Sequence, residues 1–196
     1  MTATSGKKLT KAGRREQLLE TAHAIVREEG TDALTLGRLA ERAGVSKPIA
    51  YEHFRTRSGL LIALYKEIDD GQVAALVDAL ARAPRRLDEV ARVVSRAYMA
   101  CYTAAGPEWH AVSAALKGDE DMEAFQIQLI DHYVAIYRDA FRPCTDLPEA
   151  DLHLRCVGII GAAEAIAQDM IRQRVDEAAA AAALASLISA WLSSKA

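Results

Sequence analysis

The stretch Thr35–Leu60 reads TLGRLAERAGVSKPIAYEHFRTRSGL, and its spacing decides the fold. Leu36, Leu39, Ala40 and Ala43 recur at helical intervals, the pattern of a helix with one buried face. Gly44 then interrupts, and glycine takes the left-handed backbone of a tight turn at no steric cost. Ser46 restarts the pattern as an N-cap. Pro48 lies in the first turn of the next helix, where a missing N–H costs nothing, and Tyr51, His53 and Phe54 close that helix. Two short helices joined by a glycine turn are a helix-turn-helix, whose second helix can enter the DNA major groove. Thr35 is a good N-cap for the first of the pair. Arg38 stands where a capping box has Glu or Gln, so it calls for an anionic neighbour.

Upstream, residues 1–10 are polar, with paired Lys7 and Lys8, and are expected to be a flexible basic arm. A helix is expected from Thr10 or Lys11 to Gly30, with Leu18, Leu19, Ala22, Ile25 and Val26 as its buried stripe. Lys11, Arg14 and Arg15 oppose the helix dipole in its first turns, a cost that an external phosphate would offset. Residues 1–66 carry 12 Lys or Arg against 7 Asp or Glu, and the remainder 12 against 20. A basic first third on an acidic body suits a chain that meets polyanion at one end.

The block from Thr35 to Leu61 resembles the DNA-binding domain of TetR-type bacterial transcription regulators. The shared marks are Thr35, the turn Ala40…Gly44-Val45-Ser46, Tyr51, and His53-Phe54 followed by the cation Arg57. The resemblance covers about residues 11–66 and implies a helix-turn-helix domain at 11–57 followed by a helical regulatory and dimerisation domain at 58–196. It implies backbone contacts from Thr35, Lys47, Tyr51, His53 and Arg57, with Arg38 beside them. Base reading falls to Lys47, Pro48, Ile49 and Tyr51: lysine donates to guanine, and apolar groups pack on thymine methyls. Three residues depart from the family pattern. Gly37 stands where Arg is common, Arg38 where an acid is common, and Ile49 where a small hydroxyl residue is common.

The fold class expected is all-α, with about nine helices. A fourth helix of about twenty residues opens at Leu60, contains Gly71 and stops before Pro84. Further helices are expected at about 86–104, 107–117, 119–141, 149–174 and 176–193, punctuated by Gly106-Pro107, Gly118, Arg142-Pro143 and Asp176. No run of eighteen apolar residues occurs, and the N-terminus lacks an apolar signal segment, so a cytoplasmic protein with no membrane span is expected. Cys101, Cys144 and Cys156 are odd in number and widely spaced, which points to small buried thiols rather than a metal or disulfide framework.

The last two helices combine a small-residue stripe (Gly158, Gly161, Ala162, Ala165) with the apolar face Leu184, Leu187, Ile188, Trp191 and Leu192. Such faces seek a partner helix, and the resemblance implies a homodimer through about 149–174 and 176–193. A small hydrophobic ligand is expected in the body, against Tyr98, Tyr102, Trp109, Phe125, Gln126, Leu129, His132, Tyr133 and Cys156. Neither a cofactor nor a metal is expected. A Gly-rich phosphate loop, H-E-x-x-H and G-x-S-x-G are all missing, which argues against an enzyme. The reading is a ligand-responsive repressor that leaves a palindromic DNA operator when its ligand binds. The alternatives are a regulator that needs its ligand to bind DNA, and a helical dimerisation module without DNA.

Overall fold

The computed structural model describes residues 9–104, 112 and 120–193. Among them are eight α-helices, two short 3-10 turns and no strand, so the all-α expectation holds. The helices are α1 (Lys11–Glu29), α2 (Leu36–Arg42), α3 (Lys47–Phe54), α4 (Arg57–Arg82), α5 (Leu87–Ala104), α6 (Glu120–Phe141), α7 (Glu149–Ile171) and α8 (Glu177–Ser193). The helix expected at 107–117 and most of the basic arm lie outside the described residues.

The chain divides into two compact units, 1–67 with 107–122, and 68–106 with 123–196. The division falls within α4 rather than ahead of it. In the first unit, the Thr35 cap read from the sequence is formed, and Thr10 caps α1 as well. Gly13 N–H donates to Thr10 Oγ1 at 3.1 Å, and Arg38 N–H to Thr35 Oγ1 at 3.1 Å, each satisfying one free donor of a helix start. Gly44 takes φ 67°, and the Val45 N–H returns to Ala40 O at 3.0 Å, which closes the turn. Ser46 occupies the N-cap of α3 with extended backbone, but its side chain makes no capping hydrogen bond. The segment read as a plain loop contains a 3-10 turn at Thr31–Ala33.

α4 begins three residues earlier than Leu60. The missed signal is Thr56, whose Oγ1 accepts from Gly59 N–H at 2.9 Å and caps the helix. Gly59 is required here by close approach: a Cβ at this position would overlap the Phe54 carbonyl oxygen. Leu18, Ala22, Ile25, Leu34, Leu39, Ala50, Phe54, Leu60 and Leu64 are buried and form the core that fixes α3.

The second unit has its own core. Val90, Ala91, Val94 and Met99 of α5 meet Val134, Tyr137 and Phe141 of α6, Leu152, Cys156, Ile159, Ala163 and Ala167 of α7, and Ala180, Leu184, Ile188 and Leu192 of α8. Small residues on α7 and α8 permit this close helix approach. Asp176 caps α8 as expected, accepting from Ala179 N–H at 2.7 Å. α7 ends at Ile171, short of Arg174, where Gln173 takes φ 58°. Of the three thiols, Cys156 is buried, while Cys101 and Cys144 are only half-buried.

Candidate nucleic-acid interface

α3 is held from behind and free in front. Ala50 and Phe54 face the core, while Lys47, Pro48, Tyr51, Glu52 and Arg55 are exposed. Tyr51 is a large ring left 52% accessible, and core packing does not account for it. Ile49 and His53 are half-buried. Burial holds the His53 imidazole below its usual pKa, against the opposing charge of Glu52 and with Lys11, Arg15 and Arg14 adding to the depression.

The cations in the first turns of α1 prove to have partners within the chain. Arg15 donates to the His53 carbonyl at 3.2 Å, and its guanidinium lies 4.9 Å from the Phe54 ring centroid. It thereby serves a carbonyl that the end of α3 leaves free and adds a cation–π contact. Lys11 pairs with Glu52 of α3 at 3.4 Å, and Arg14 bonds Gln17.

The anionic neighbour that Arg38 calls for also belongs to the chain. Its guanidinium grips Glu29 through two bonds of 3.1 Å and reaches Glu41 at 3.2 Å. Arg42 adds contacts to Glu28 and Glu29. The Arg38 hydrogen bond, more than any other interaction, holds the Glu29 carboxyl below its usual pKa. Arg57 donates from Nε to Leu34 O at 2.9 Å and from Nη2 to Thr31 O at 2.7 Å, so it fastens the start of α4 to the turn between α1 and α2. Thr35 is exposed at its cap. Thr35, Lys47, Pro48 and Tyr51 thus lie open to a partner, while Arg38 and Arg57 are engaged internally.

The residues expected to line a ligand site separate into groups within the second unit. Tyr98 and Tyr102 of α5 stack at 5.4 Å, and both phenols donate to Glu164 Oε2 of α7, Tyr98 at 3.1 Å. Tyr133 of α6 donates to Asp69 Oδ1 of α4 at 2.8 Å, and Asp69 is only 6% exposed. Burial pushes the Tyr98, Tyr102 and Tyr133 pKa values up, and it pushes the Cys101 thiol up to about 12. Glu164 and Asp69 escaped the sequence-based site because they become neighbours of the tyrosines only through helix packing.

Cys156 is buried inside the core and cannot line an open site as it stands. Gln126 and His132 are exposed, and Phe125 and Leu129 half-buried. The inward face of α6 runs instead through Val134, Tyr137 and Phe141, because Ile127 and Ile130, which blurred the apolar stripe, point outward. Trp109 lies outside the described residues. A separate groove opens between α5 and α8, lined by Asp88, Arg92, Arg96, Ala181, Ala185 and Ser189 among others, and none of the expected ligand residues lines it. Among the described residues no helix is long and apolar enough to cross a membrane, and no cluster has the makings of a metal site.

Residues 18–64, the segment that builds this interface, match the family model described as bacterial regulatory proteins, tetR family. Over this segment the chain matches the TetR family. Two curated TetR-like relatives are the HTH-type transcriptional activator FasR of Mycolicibacterium smegmatis and the HTH-type transcriptional regulator BetI of Rhizobium meliloti. FasR is 36% identical over 75 residues, 38% of this chain and 34% of its own length. BetI is 33% identical over 105 residues, 47% of this chain and 52% of its own. The chain therefore spans about a third to a half of the length of these two relatives. The fold extends further than the sequence likeness. A solved structure of the regulator FadR from Bacillus subtilis, in complex with stearoyl-CoA, shares it with a TM-score of 0.68 at 16% identity, over 90% of this chain and 98% of that one. The TetR-family match thus rests on the same helices whose caps and core are described above.

Proposed function

We propose that this chain is a DNA-binding transcription regulator that acts as a homodimer and leaves a palindromic operator when a small hydrophobic molecule binds. One observation carries the reading. α3 is anchored by Ala50, Phe54 and the Arg15 clasp, yet turns Lys47, Pro48 and Tyr51 outward. That is the construction a recognition helix needs, since its base-reading side chains must be rigidly backed and unencumbered. Thr35 and Lys47, at the starts of α2 and α3, are suited to hold phosphate and set register. On this reading residues 11–57 form the DNA-binding domain and 58–196 the regulatory body.

The homodimer is supported by an apolar face on α7 and α8. Leu154, Val157, Ile171, Leu187 and Trp191 remain exposed there, beside the small residues Gly161 and Ala165. A two-fold axis would give two recognition helices, suited to half-sites about 34–36 Å apart. The ligand reading is supported by the tyrosine and carboxylate cluster around Glu164 and Asp69, which offers aromatic faces with a few oriented polar groups. FadR, with the same fold, was solved with stearoyl-CoA. Ligand would act by favouring a state of the body with a different recognition-helix spacing, through its differential affinity for the two states. FasR is named an activator, which favours a second reading in which ligand strengthens DNA binding.

The test is a gel shift with DNA from upstream of the chain's own gene. Lys47→Ala and Tyr51→Ala are expected to weaken binding, roughly 5- to 150-fold for a contact worth 1–3 kcal/mol. Affinity is expected to fall steeply with salt as phosphate contacts release counterions. Undiminished binding by both variants would remove α3 from the interface.

A further inference from the structure

α3 carries an acid on the face that this reading turns toward DNA. Glu52 is exposed, one turn after Pro48 and adjacent to Tyr51. Its ion pair with Lys11 spans 3.4 Å between side chains that are 63% and 77% accessible. Pairs this exposed contribute little to a fold, because water screens them and two long side chains must be ordered. The anchoring of α3 rests on Ala50, Phe54 and Arg15 instead. Packing therefore gives no reason for a carboxylate here, and a polyanionic partner gives a reason against one.

We propose that Glu52 is a specificity-determining residue of the DNA interface, its carboxylate accepting a hydrogen bond from the N4 amine of cytosine in the major groove. The inference rests on α3 being the recognition helix and extends that reading to the chemistry of one base pair. An ionised carboxylate only accepts. Guanine presents two acceptors in the major groove, thymine an acceptor and a methyl, and adenine a donor beside an acceptor; cytosine presents a donor alone. Glu52 therefore repels guanine and thymine, fits adenine poorly and is satisfied by cytosine. Lys11 supplies the counter-charge. Its ammonium beside one carboxylate oxygen lowers the repulsion from flanking phosphates and leaves the remaining lone pairs for the base. The pair thus turns a charge that would weaken binding to every sequence into one tolerated at a chosen base.

The experiment is selection of bound duplexes from a randomised library, with the full chain and its Glu52→Gln and Glu52→Ala variants. Lys47→Ala is run beside them as the control on α3. Wild type is expected to demand cytosine at one position of each half-site. Glu52→Gln is expected to move that preference toward adenine, whose N6 and N7 a glutamine amide satisfies together. Glu52→Ala is expected to lose the preference, on the order of tenfold in relative affinity, while binding unrelated DNA more tightly than wild type because one phosphate repulsion is gone. If wild type selects a defined site, Lys47→Ala weakens it and both Glu52 variants select the same site as wild type, the inference is overturned and the assignment of α3 survives. If wild type selects no sequence, or Lys47→Ala binds unchanged, the assignment of α3 fails and the inference with it.

Discussion

Replacing Arg57 by alanine separates two roles that a cation at this position can play. Its guanidinium makes two part-buried hydrogen bonds to main-chain carbonyls, 2.9 Å to Leu34 and 2.7 Å to Thr31. Hydrogen bonds from a charged donor contribute about 1.5–3 kcal/mol each. Water reaches a part-buried site and recovers some of this, so the low end applies and the loss is about 2–4 kcal/mol. For a chain of this size each kcal/mol moves the melting temperature by roughly 2–4 °C, so Arg57→Ala should melt roughly 5–15 °C below the parent. Arg57→Lys keeps the charge but lacks the planar fork that spans two acceptors, and should recover no more than about half of the loss. Circular dichroism melts of the three proteins give the first readout, and the salt dependence of DNA affinity gives the second. Were Arg57 bound to a phosphate instead, its removal would lower the slope of log affinity against log salt by about one. An alanine variant that melts with the parent while its salt slope falls by that amount would refute the clasp and make Arg57 a DNA-binding residue.

Two further expectations concern stability and assembly. Gly59→Ala places a methyl against the Phe54 carbonyl oxygen; the main chain must shift, and the variant should lose about 1–3 kcal/mol in denaturant unfolding, more than the roughly 0.4–1 kcal/mol that removing a glycine gains through the unfolded chain. Leu154→Glu puts a charge on the most exposed large apolar side chain of α7, at 66% accessibility. Light scattering at micromolar concentration should then show the variant shifted toward monomer and the parent dimeric, and a parent that is monomeric would remove the proposed interface.

The helix-turn-helix was legible because its signals are local. The Thr35 cap, the Gly44 turn and Pro48 in the first turn of α3 each act within a few residues. What escaped was whatever depends on partners distant in sequence. The acceptors of Arg57 lie 23 and 26 residues away, and the carboxylate gripped by Arg38 lies nine residues back across a turn. Arg38 called for an anion that its near neighbours supply only in part, through Glu41, and Arg57 was read as a backbone contact from the family resemblance. Thr56 was local, but leucine periodicity drew the start of α4 to Leu60. In α6 the apolar residues Phe125, Ile127, Leu129 and Ile130 run around the helix, so periodicity alone could not select the inward face, and Gln126 and His132 were placed inside when they are exposed. The polar partners of Tyr98, Tyr102 and Tyr133 come from α7 and α4, which no linear pattern announces.

The fork of Glu29 between Arg38 and Arg42 bears on how charge in this domain should be counted. If either arginine left the fork to meet a phosphate, the DNA would shed a condensed cation, while Glu29, still held by the other arginine, would draw only a diffuse share of one from solution. The two exchanges partly offset, and the new ion pair would leave a smaller trace in the salt dependence than a free cation would. The cations of the basic N-terminal third that are already paired, Lys11, Arg38 and Arg42 among them, thus form a bound reserve rather than free charge. The number of phosphates inferred from salt titration will be a floor, lower than the number of cations that touch the backbone.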